Sequence, residues 1–174
     1  FTYSPIDPFT IMTRIGLLSD THNFLDEAVF RHFEACDEIW HAGDFGTAAI
    51  AEQLAAFKPL RGVYGNIDGR DVRALYPEKL RWHCENVPVL MIHIGGYPGR
   101  YTAAAKAELR SQKTGLFISG HSHILKIQYD PAVECLHINP GAAGRQGWHK
   151  VRTLVRFVVE DATIRDCEVI ELNR

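Results

Sequence analysis

The feature that most constrains this chain is a regular alternation of apolar and helix-patterned segments over its first third. Short apolar runs occupy residues 14–20, 37–44 and 59–66, with the sequences RIGLLSD, DEIWHAGD and PLRGVYGN. The two segments between them, LDEAVFRHFEA and TAAIAEQLAAF, carry apolar residues at helical spacing. This βαβαβ pattern predicts a parallel sheet with right-handed crossovers, and therefore an α/β fold.

After residue 78 the alternation is less regular, and strand-like runs outnumber helix-patterned ones. The helix-patterned segment is 101–112, which is rich in good helix formers. Strand candidates cover residues 79–86, 87–93, 115–120, 124–130, 133–141, 150–160 and 163–172. The last three alternate partly between apolar and polar residues, which predicts an antiparallel meander.

Neither an internal repeat nor a Pro/Gly-rich linker divides the sequence. One domain is therefore predicted over residues 12–174, which begin at the first methionine. Residues 1–11, FTYSPIDPFTI, are rich in proline, threonine and aromatic residues and show no clear period. We interpret them as an N-terminal extension, a tag remnant or a docking arm.

Composition argues against several functional classes. The chain has 174 residues, of which 46% are hydrophobic and 23% charged, and its formal net charge is −2. This balance disfavours a strongly basic surface for nucleic acid or for an anionic membrane. No apolar run approaches the roughly 20 residues that span a bilayer. The four cysteines form no C-x-x-C pair, which favours free thiols and a cytoplasmic location.

Polar side chains follow each of the first three predicted strands. Asp20 and His22 follow the first, Asp44 ends the second and Asn66 ends the third, each about one βαβ repeat from the next. Because the carboxyl ends of parallel strands lie side by side, these groups are expected to converge at one edge. Later strands end in further candidates, and the full set is Asp20, His22, Asp44, Asn66, His93, His121 and His123.

This set combines carboxylate, amide and imidazole groups without a thiolate. Such a mixture suits Mn²⁺, Fe, Zn²⁺, Co²⁺ or Ni²⁺ and disfavours a structural zinc site built from cysteines. Seven ligands are too many for one tetrahedral ion. They fit two ions that share a bridging carboxylate, roughly 3.5–4 Å apart as in two-metal hydrolases.

Six short blocks carry a resemblance to a known family. SDTHN, HAGD, GNID, MIH, GHSH and INPG occur in the order seen in the calcineurin-like metallophosphoesterases, and they span about two thirds of the chain. The chain most resembles the small, single-domain YfcE/Vps29-like branch. That resemblance implies a four-layer α/β/β/α sandwich with a dinuclear metal site at one end.

The resemblance also implies a ligand assignment. One metal would take Asp20, His22, Asp44 and His123, and the other would take Asp44, Asn66, His93 and His121. Asp44 would bridge the two ions. The expected cofactor is a pair of divalent cations, with Mn²⁺ first and Fe, Zn²⁺, Ni²⁺ or Co²⁺ as alternatives.

The implied chemistry is hydrolysis of a small phosphate ester by a metal-activated hydroxide. Asp44, Asn66 and His22 are the catalytic candidates, and Asn66, Arg145 and Arg100 are the substrate-binding candidates. Phosphodiesters are expected ahead of monoesters. Two alternatives stay open, a Vps29-like scaffold that binds partner proteins and a nucleotide pyrophosphatase. The retention of His22 and Asp44 favours an enzyme, and homo-oligomerisation is left open.

One departure from the family pattern concerns the leaving group. Many members have a histidine directly after the asparagine to protonate the leaving group, and here that residue is Ile67. The general acid is therefore unassigned. Among the other histidines, His41 is interpreted as a packed residue at the end of a buried strand, with support of the neighbouring ligands as the alternative. The rest are interpreted as structural or exposed, namely His32, His83, His137 and His149.

Overall fold

The structure is a computed structural model that describes residues 11–173. The interpretation of residues 1–11 as an extension therefore falls almost wholly outside the described residues. In chain order the described elements are β1 (Met12–Leu18), α1 (Glu27–Phe33), β2 (Glu38–His41), α2 (Ala48–Phe57), β3 (Leu60–Gly62), α3 (Arg70–Arg73), β4 (Lys79–Cys84), β5 (Val87–Ile92), α4 (Ala103–Ser111), β6 (Leu116–Ile118), β7 (Leu125–Asp130), β8 (Cys135–Pro140), β9 (Arg152–Glu160) and β10 (Thr163–Leu172).

The first sheet has the strand order β10-β9-β1-β2-β3. β1 pairs in parallel with β2, which pairs in parallel with β3, as the βαβαβ pattern predicts. β9 runs antiparallel to β1 and β10 antiparallel to β9. β3 is shorter than predicted, because residues 63–66 leave the sheet and turn toward the edge at which the predicted metal ligands lie.

The second sheet has the strand order β4-β5-β6-β8-β7. Its three central strands are parallel and its two edge strands are antiparallel. The predicted meander of the last three strands is wrong, because β8 belongs to the second sheet and only β9 and β10 form a hairpin in the first. β8 is largely buried between β6 and β7, and the chain then crosses to the other sheet.

The two sheets pack face to face through a shared apolar core. Trp40 is fully buried there, and its ring meets Trp82 of the second sheet edge-on at 4.8 Å between centroids. Ile15, Leu17, Met91 and Ile118 belong to the same cluster. Burial of such side chains stabilises the sandwich by about 1.5–3 kcal/mol each and fixes the two sheets against one another.

Helices cover the outer faces and complete the four layers. α1, α2 and α3 bury Phe33, Leu54 and Val72 in one cluster on the first sheet, and α4 contributes Ala105 to a cluster on the second. This confirms the predicted α/β/β/α sandwich. Within the described residues, no helix is long and apolar enough to cross a membrane. All four cysteines are unpaired, as expected.

Candidate metal centre

Loops from both sheets bring the seven predicted ligands to one edge of the sandwich. Asp20 and His22 follow β1, Asp44 follows β2 and Asn66 follows β3. From the second sheet, His93 follows β5, and His121 and His123 follow β6. Residues more than 100 positions apart therefore meet, as where the His121 backbone N–H donates to Asp20 Oδ2 at 3.1 Å.

Most of these residues hold an unusual backbone conformation. Five have φ in the left-handed region: Asp20 (53°), His22 (45°), Asp44 (57°), His121 (67°) and His123 (58°). That region costs a residue with a β-carbon roughly 1–2 kcal/mol. Backbone hydrogen bonds hold the loops in place, among them Asp20 N–H to the Gly43 carbonyl at 2.9 Å and His22 N–H to the Asp44 carbonyl at 3.0 Å.

One group of ligands, the first trio, consists of Asp20, His22 and His123. Their ligand atoms all lie within 4.8 Å of one another. Asp20 Oδ1 is 3.1 Å from His123 Nε2 and 3.7 Å from His22 Nε2. The Asp20 carboxylate is fully buried. A carboxylate and two imidazoles thus point at one small volume.

The second trio consists of Asp44, His93 and His121, with ligand atoms also within 4.8 Å of one another. Asp44 Oδ2 is 3.2 Å from His93 Nε2. The amide oxygen of Asn66 lies beside this trio, 3.2 Å from His93 Nε2 and 2.9 Å from His121 Nδ1. His93 Nε2 therefore faces two oxygen atoms, Asp44 Oδ2 and Asn66 Oδ1. A cation between these three atoms would be bound by all of them.

The two trios meet at Asp44. Its Oδ2 lies 3.5 Å from His22 Nε2 in the first trio and 3.2 Å from His93 Nε2 in the second. The other oxygen, Oδ1, accepts a hydrogen bond from the Ile67 backbone N–H at 3.0 Å. Asp44 is therefore held with one oxygen directed at both groups, the position expected of a bridging ligand.

The electrostatics keep both buried carboxylates ionised. Burial acts to raise the pKa of Asp20, but the neighbouring imidazoles of His123 and His22 outweigh it and hold that pKa well below its usual value. Asp44 shows the same balance, with His93 lowering its pKa against burial. The pKa of His22 is raised, chiefly by the nearby Asp20 carboxylate. Two carboxylates held ionised in a confined space attract a divalent cation.

Two ligand atoms have no hydrogen-bond partner. Asp20 Oδ1 and His22 Nε2 are both buried and unpartnered among the described residues. Burying such atoms without a partner costs free energy, so a native structure normally satisfies them. A metal ion between them would do so. The oxygen and nitrogen donors, without thiolate, fit Mn²⁺, Fe, Zn²⁺, Co²⁺ or Ni²⁺.

Neighbouring groups orient the ligands. His93 Nδ1 donates to the Ala42 carbonyl at 2.7 Å, which leaves Nε2 directed at Asp44. The Ser19 hydroxyl donates to Asp20 Oδ2 at 2.6 Å, which leaves Oδ1 for the first trio. Such contacts fix ring orientation and tautomer, and their loss typically weakens metal binding by about 10–100-fold.

Two further residues brace the ligand loops. Asp68 accepts backbone hydrogen bonds from Gly46 and Gly65, both at 2.8 Å, and so holds the loop after β2 to the loop after β3. Asn139 donates to the Gly120 carbonyl at 2.8 Å and supports the GHSH hairpin. Gly65 itself is required for space, because a β-carbon there would lie 2.0 Å from Asp44 Oδ1.

Sequence reasoning missed His149 as part of the site. Its Nδ1 lies 3.2 Å from Nδ1 of His123, and its Nε2 lies 3.0 Å from the Gly144 carbonyl. Because His149 Nε2–H donates to that carbonyl, His149 Nδ1 accepts from Nδ1–H of His123. Nε2 of His123 is then directed, without a proton, at the volume that Asp20 Oδ1 also faces. No local motif marks His149, because the contact depends on the path of the loop between β8 and β9.

His41 occupies the packed position predicted for it. It is fully buried, and burial lowers its pKa to about 3, so it is neutral. Its Nδ1 accepts from the Gly43 backbone N–H at 3.1 Å, and its Nε2 donates to the Thr21 hydroxyl at 3.0 Å. These bonds tie together the loops that carry Asp20 and Asp44.

The two predicted substrate-binding arginines differ in position. Arg145 stacks on the Phe24 ring at 4.0 Å and lines a cavity of about 330 Å³ together with His149. Arg100 lies exposed in the loop between β5 and α4, and its side chain makes no hydrogen bond or ion pair with the described residues of the site. A second cavity, of about 420 Å³, lies beside His121.

Comparisons with known proteins agree with this architecture. The family model for the calcineurin-like phosphoesterase superfamily domain matches residues 13–162. A probable metallophosphoesterase of Methanothermobacter thermautotrophicus is 32% identical over 114 residues, which are 63% of this chain and 66%, just under two thirds, of the relative. Another from Methanocaldococcus jannaschii is 30% identical over 135 residues, 74% of this chain and 67% of the relative.

Solved structures show the same fold at low sequence identity. Vacuolar protein sorting 29 from Cryptosporidium parvum superposes with a TM-score of 0.70 and 14% identity, covering 94% of this chain and 99% of that one. The phosphoesterase YfcE from E. coli superposes with a TM-score of 0.59 and 18% identity, covering 92% and 100%. At such identities the likeness establishes the fold alone.

Proposed function

The chain belongs to the calcineurin-like phosphoesterase superfamily, and from that premise we propose that it is a dinuclear metal-dependent phosphodiesterase. The superfamily supports a hydrolase that acts on phosphate esters with the help of divalent metal ions. The preference for diesters over monoesters, the pair of ions and Mn²⁺ as the metal are parts of the proposal.

One observation carries the proposal: two ligand trios converge on Asp44, and buried ligand atoms in the first trio lack a hydrogen-bond partner within residues 11–173. A structural role would be expected to leave those atoms hydrogen-bonded. The first ion would be held by Asp20, His22, Asp44 and His123, and the second by Asp44, Asn66, His93 and His121. When bound, two divalent cations supply a water of lowered pKa and positive charge for the phosphoryl oxygens.

The protein's own groups bind and orient the substrate. Asn66 directs its amide oxygen at His93 and His121, which leaves its NH₂ group to donate to a phosphoryl oxygen. Asp44 and His22 hold their ligand atoms in fixed positions because loop hydrogen bonds constrain their backbones. Arg145 contributes positive charge at the rim on the His149 side. The larger cavity beside His121 gives the organic part of the ester room.

Protonation of the leaving group is the step for which the described part of the site offers no evident residue. Ile67 stands beside Asn66, 44% exposed, and its side chain carries no proton to donate. Esters whose leaving groups depart without protonation should therefore react fastest. The rate should fall steeply as the pKa of the leaving group rises.

The test compares hydrolysis of bis-p-nitrophenyl phosphate with that of p-nitrophenyl phosphate by metal-stripped protein, with and without added Mn²⁺. Metal-restored turnover with a preference for the diester is the expected result. A preference for the monoester would refute the diester assignment. A folded, metal-loaded protein without turnover on any ester would favour a scaffold that presents its surface to partner proteins.

A further inference from the structure

The cavity beside His121, with a volume of about 420 Å³, adjoins the second trio. His121 belongs to that trio and also forms part of the cavity wall, together with its neighbours Gly120 and Ser122. An organic group attached to a phosphoryl group bound at this trio would therefore have the cavity beside it. The side chains of the wall then determine which organic groups fit.

Apolar side chains form one part of this wall. Ile94 directly follows the proposed ligand His93, and Ile124 directly follows His123. These two isoleucines are 42% and 68% exposed, and Tyr97 of the same wall is 38% exposed. Leaving apolar surface in water is unfavourable, so a ligand that covers these side chains gains free energy. Three exposed apolar side chains around one cavity therefore favour a ligand with an apolar part.

Lys126 is the one lysine or arginine among the described residues that line the cavity. Its Nζ lies 4.7 Å from the centroid of the Tyr97 ring, which holds the ammonium group at the wall. Lys126 forms no ion pair with a carboxylate among the described residues, and those that line the cavity include no acidic side chain. An ammonium group in such mostly apolar surroundings favours an anionic ligand group. A carboxylate matches its single charge, whereas a phosphate monoester, with a charge of about −1.5 to −2, would leave part of its charge unbalanced.

The loop between β5 and α4, which carries part of the apolar wall, is fixed by hydrogen bonds. The Thr102 backbone N–H donates to the Gly95 carbonyl at 3.1 Å, and the Ser119 hydroxyl donates to the Gly96 carbonyl at 3.1 Å. Gly96 has φ of 75°, and a β-carbon there would lie 2.3 Å from the Arg100 carbonyl oxygen. Only glycine allows both this backbone conformation and this close approach. The cavity is therefore formed before a ligand binds, which lowers the entropic cost of binding.

We propose that this cavity binds one organic arm of the substrate, and that this arm is apolar near the phosphoryl group and carries a carboxylate that pairs with Lys126. The inference rests on the proposed function and narrows its substrate class to phosphodiesters with one such arm. The phosphoryl group would lie at Asp44, and the apolar part of the arm would lie against Ile94 and Ile124. Lys126 belongs to neither trio, so it acts on the choice of substrate and not on metal binding.

The test measures binding of three kinds of phosphonate to the full-length, Mn²⁺-loaded protein by calorimetry at pH 7.5 and low salt. Methylphosphonate, phenylphosphonate and the tighter-binding isomer of 3- and 4-phosphonobenzoate share a phosphonate group and cannot be hydrolysed at phosphorus. The wild type should bind phenylphosphonate at least about fivefold more tightly than methylphosphonate, because the ring covers the apolar wall. It should bind the phosphonobenzoate at least about fivefold more tightly again, because the carboxylate pairs with Lys126.

Two variants separate the two parts of the arm. Lys126→Met keeps an apolar chain but removes the charge, so it should lose the preference for the carboxylate and keep the preference for the ring. Ile124→Ala should weaken the preference for the ring. The matched control is Lys106→Met, which neutralises an exposed residue of α4 and should keep both preferences.

Three results would overturn the subsite: absence of phosphonate binding, equal binding of phenylphosphonate and the phosphonobenzoate by the wild type, or a carboxylate preference that survives in Lys126→Met. Turnover of bis-p-nitrophenyl phosphate, measured in parallel, separates this failure from failure of the proposed function. A protein that hydrolyses the diester but shows no carboxylate preference refutes the subsite alone. A protein that shows the Lys126-dependent preference without turnover keeps the binding site and refutes the reaction.

Discussion

Buried histidines occupy two regions of this molecule, and their surroundings give them different roles. At the candidate metal centre, His22 and His93 lie within 3.5 Å of the Asp44 carboxylate. In the second sheet, His137 lies beside the rings of Phe117 and Tyr101, and it forms no ion pair with a carboxylate in the described part of the chain. Both regions contain buried ring nitrogens that lack a hydrogen-bond partner among the described residues.

The carboxylates account for the difference. Burial acts to lower the pKa of His93, but Asp44 and Asp20 outweigh it and raise that pKa. Burial lowers the pKa of His137 to about 4, and the weaker opposing influence of Asp130 does not offset it. An unpartnered buried nitrogen therefore indicates a cation site only where carboxylates converge on it. Alone, it indicates a neutral side chain that the fold tolerates.

The largest effect is expected at the candidate metal centre, where the carboxylates converge. Asp44→Asn keeps the shape of the side chain but removes the charge shared by both trios. The variant should lose at least one of two bound metal ions and nearly all diester turnover, with little change in melting temperature. Metal content by plasma mass spectrometry and a thermal melt check both points.

Its matched control is Glu52→Gln, which neutralises an exposed carboxylate on α2. That variant should keep its metal content and its turnover. An Asp44→Asn protein that still carries two ions per chain would refute the bridging role.

The next largest effect is expected when the Asp44 carboxylate keeps its charge but is displaced. In Gly65→Ala the new β-carbon would meet Asp44 Oδ1 at 2.0 Å, so the carboxylate must move. We expect metal affinity to fall by more than about 10-fold, because ligands must be held precisely to bind well. Gly69→Ala is the control, since its nearest neighbour lies at 3.2 Å. Equal metal affinity in the two variants would show that the close approach at Gly65 is unimportant.

A smaller effect is expected at His149, which touches the first trio through His123 alone. His149→Ala removes the acceptor that orients His123 Nδ1. The affinity for one ion should fall by about 10-fold, at the low end for such supporting contacts. His149→Gln retains a side-chain acceptor and should recover part of the loss. An unchanged affinity in the alanine variant would remove His149 from the site.

The smallest expected effect is a loss of folding stability in acid, and it concerns His137 of the second sheet. Because the pKa of His137 falls from 6.5 to about 4 on folding, the unfolded chain binds a proton more readily below pH 6.5. The wild type should therefore lose about 1.4 kcal/mol of stability from this group between pH 7.5 and 5.5. His137→Leu should remove that loss.

Urea unfolding at the two pH values measures this difference. His83→Leu, at an exposed position of β4, is the control and should keep the acid-dependent loss. If His137→Leu loses as much stability in acid as the wild type, the buried histidine is not the group responsible.

The residues of the proposed centre could be found from the sequence because each lies at or shortly after the end of a predicted strand. Strand ends are marked by local pattern, and parallel pairing brings such ends together, so Asp20, Asp44 and Asn66 were predictable as neighbours. The ends of later predicted strands then added His93 and the GHSH pair, and the family resemblance divided the set between two ions. These predictions needed no knowledge of how the two sheets pack.

The features that could not be predicted depend on contacts between distant segments. β8 and β9 lie in different sheets, although their sequences alternate alike. The loop between them brings Gly147 against His123, and with it His149 and the cavity of about 330 Å³ that Arg145 also lines. Nothing within a short window of sequence encodes that approach, because it is set by the packing of one sheet on the other.

The left-handed backbone at five of the proposed ligands also has an evolutionary consequence. Glycine adopts that conformation freely, so replacing Asp44 or His123 by glycine would relieve strain of about 1 kcal/mol while destroying the centre. Selection for folding and selection for chemistry therefore act in opposite directions at these positions. In a lineage that no longer used the reaction, mutation alone would erase the ligands, and the sandwich would persist as a more stable protein without its original activity.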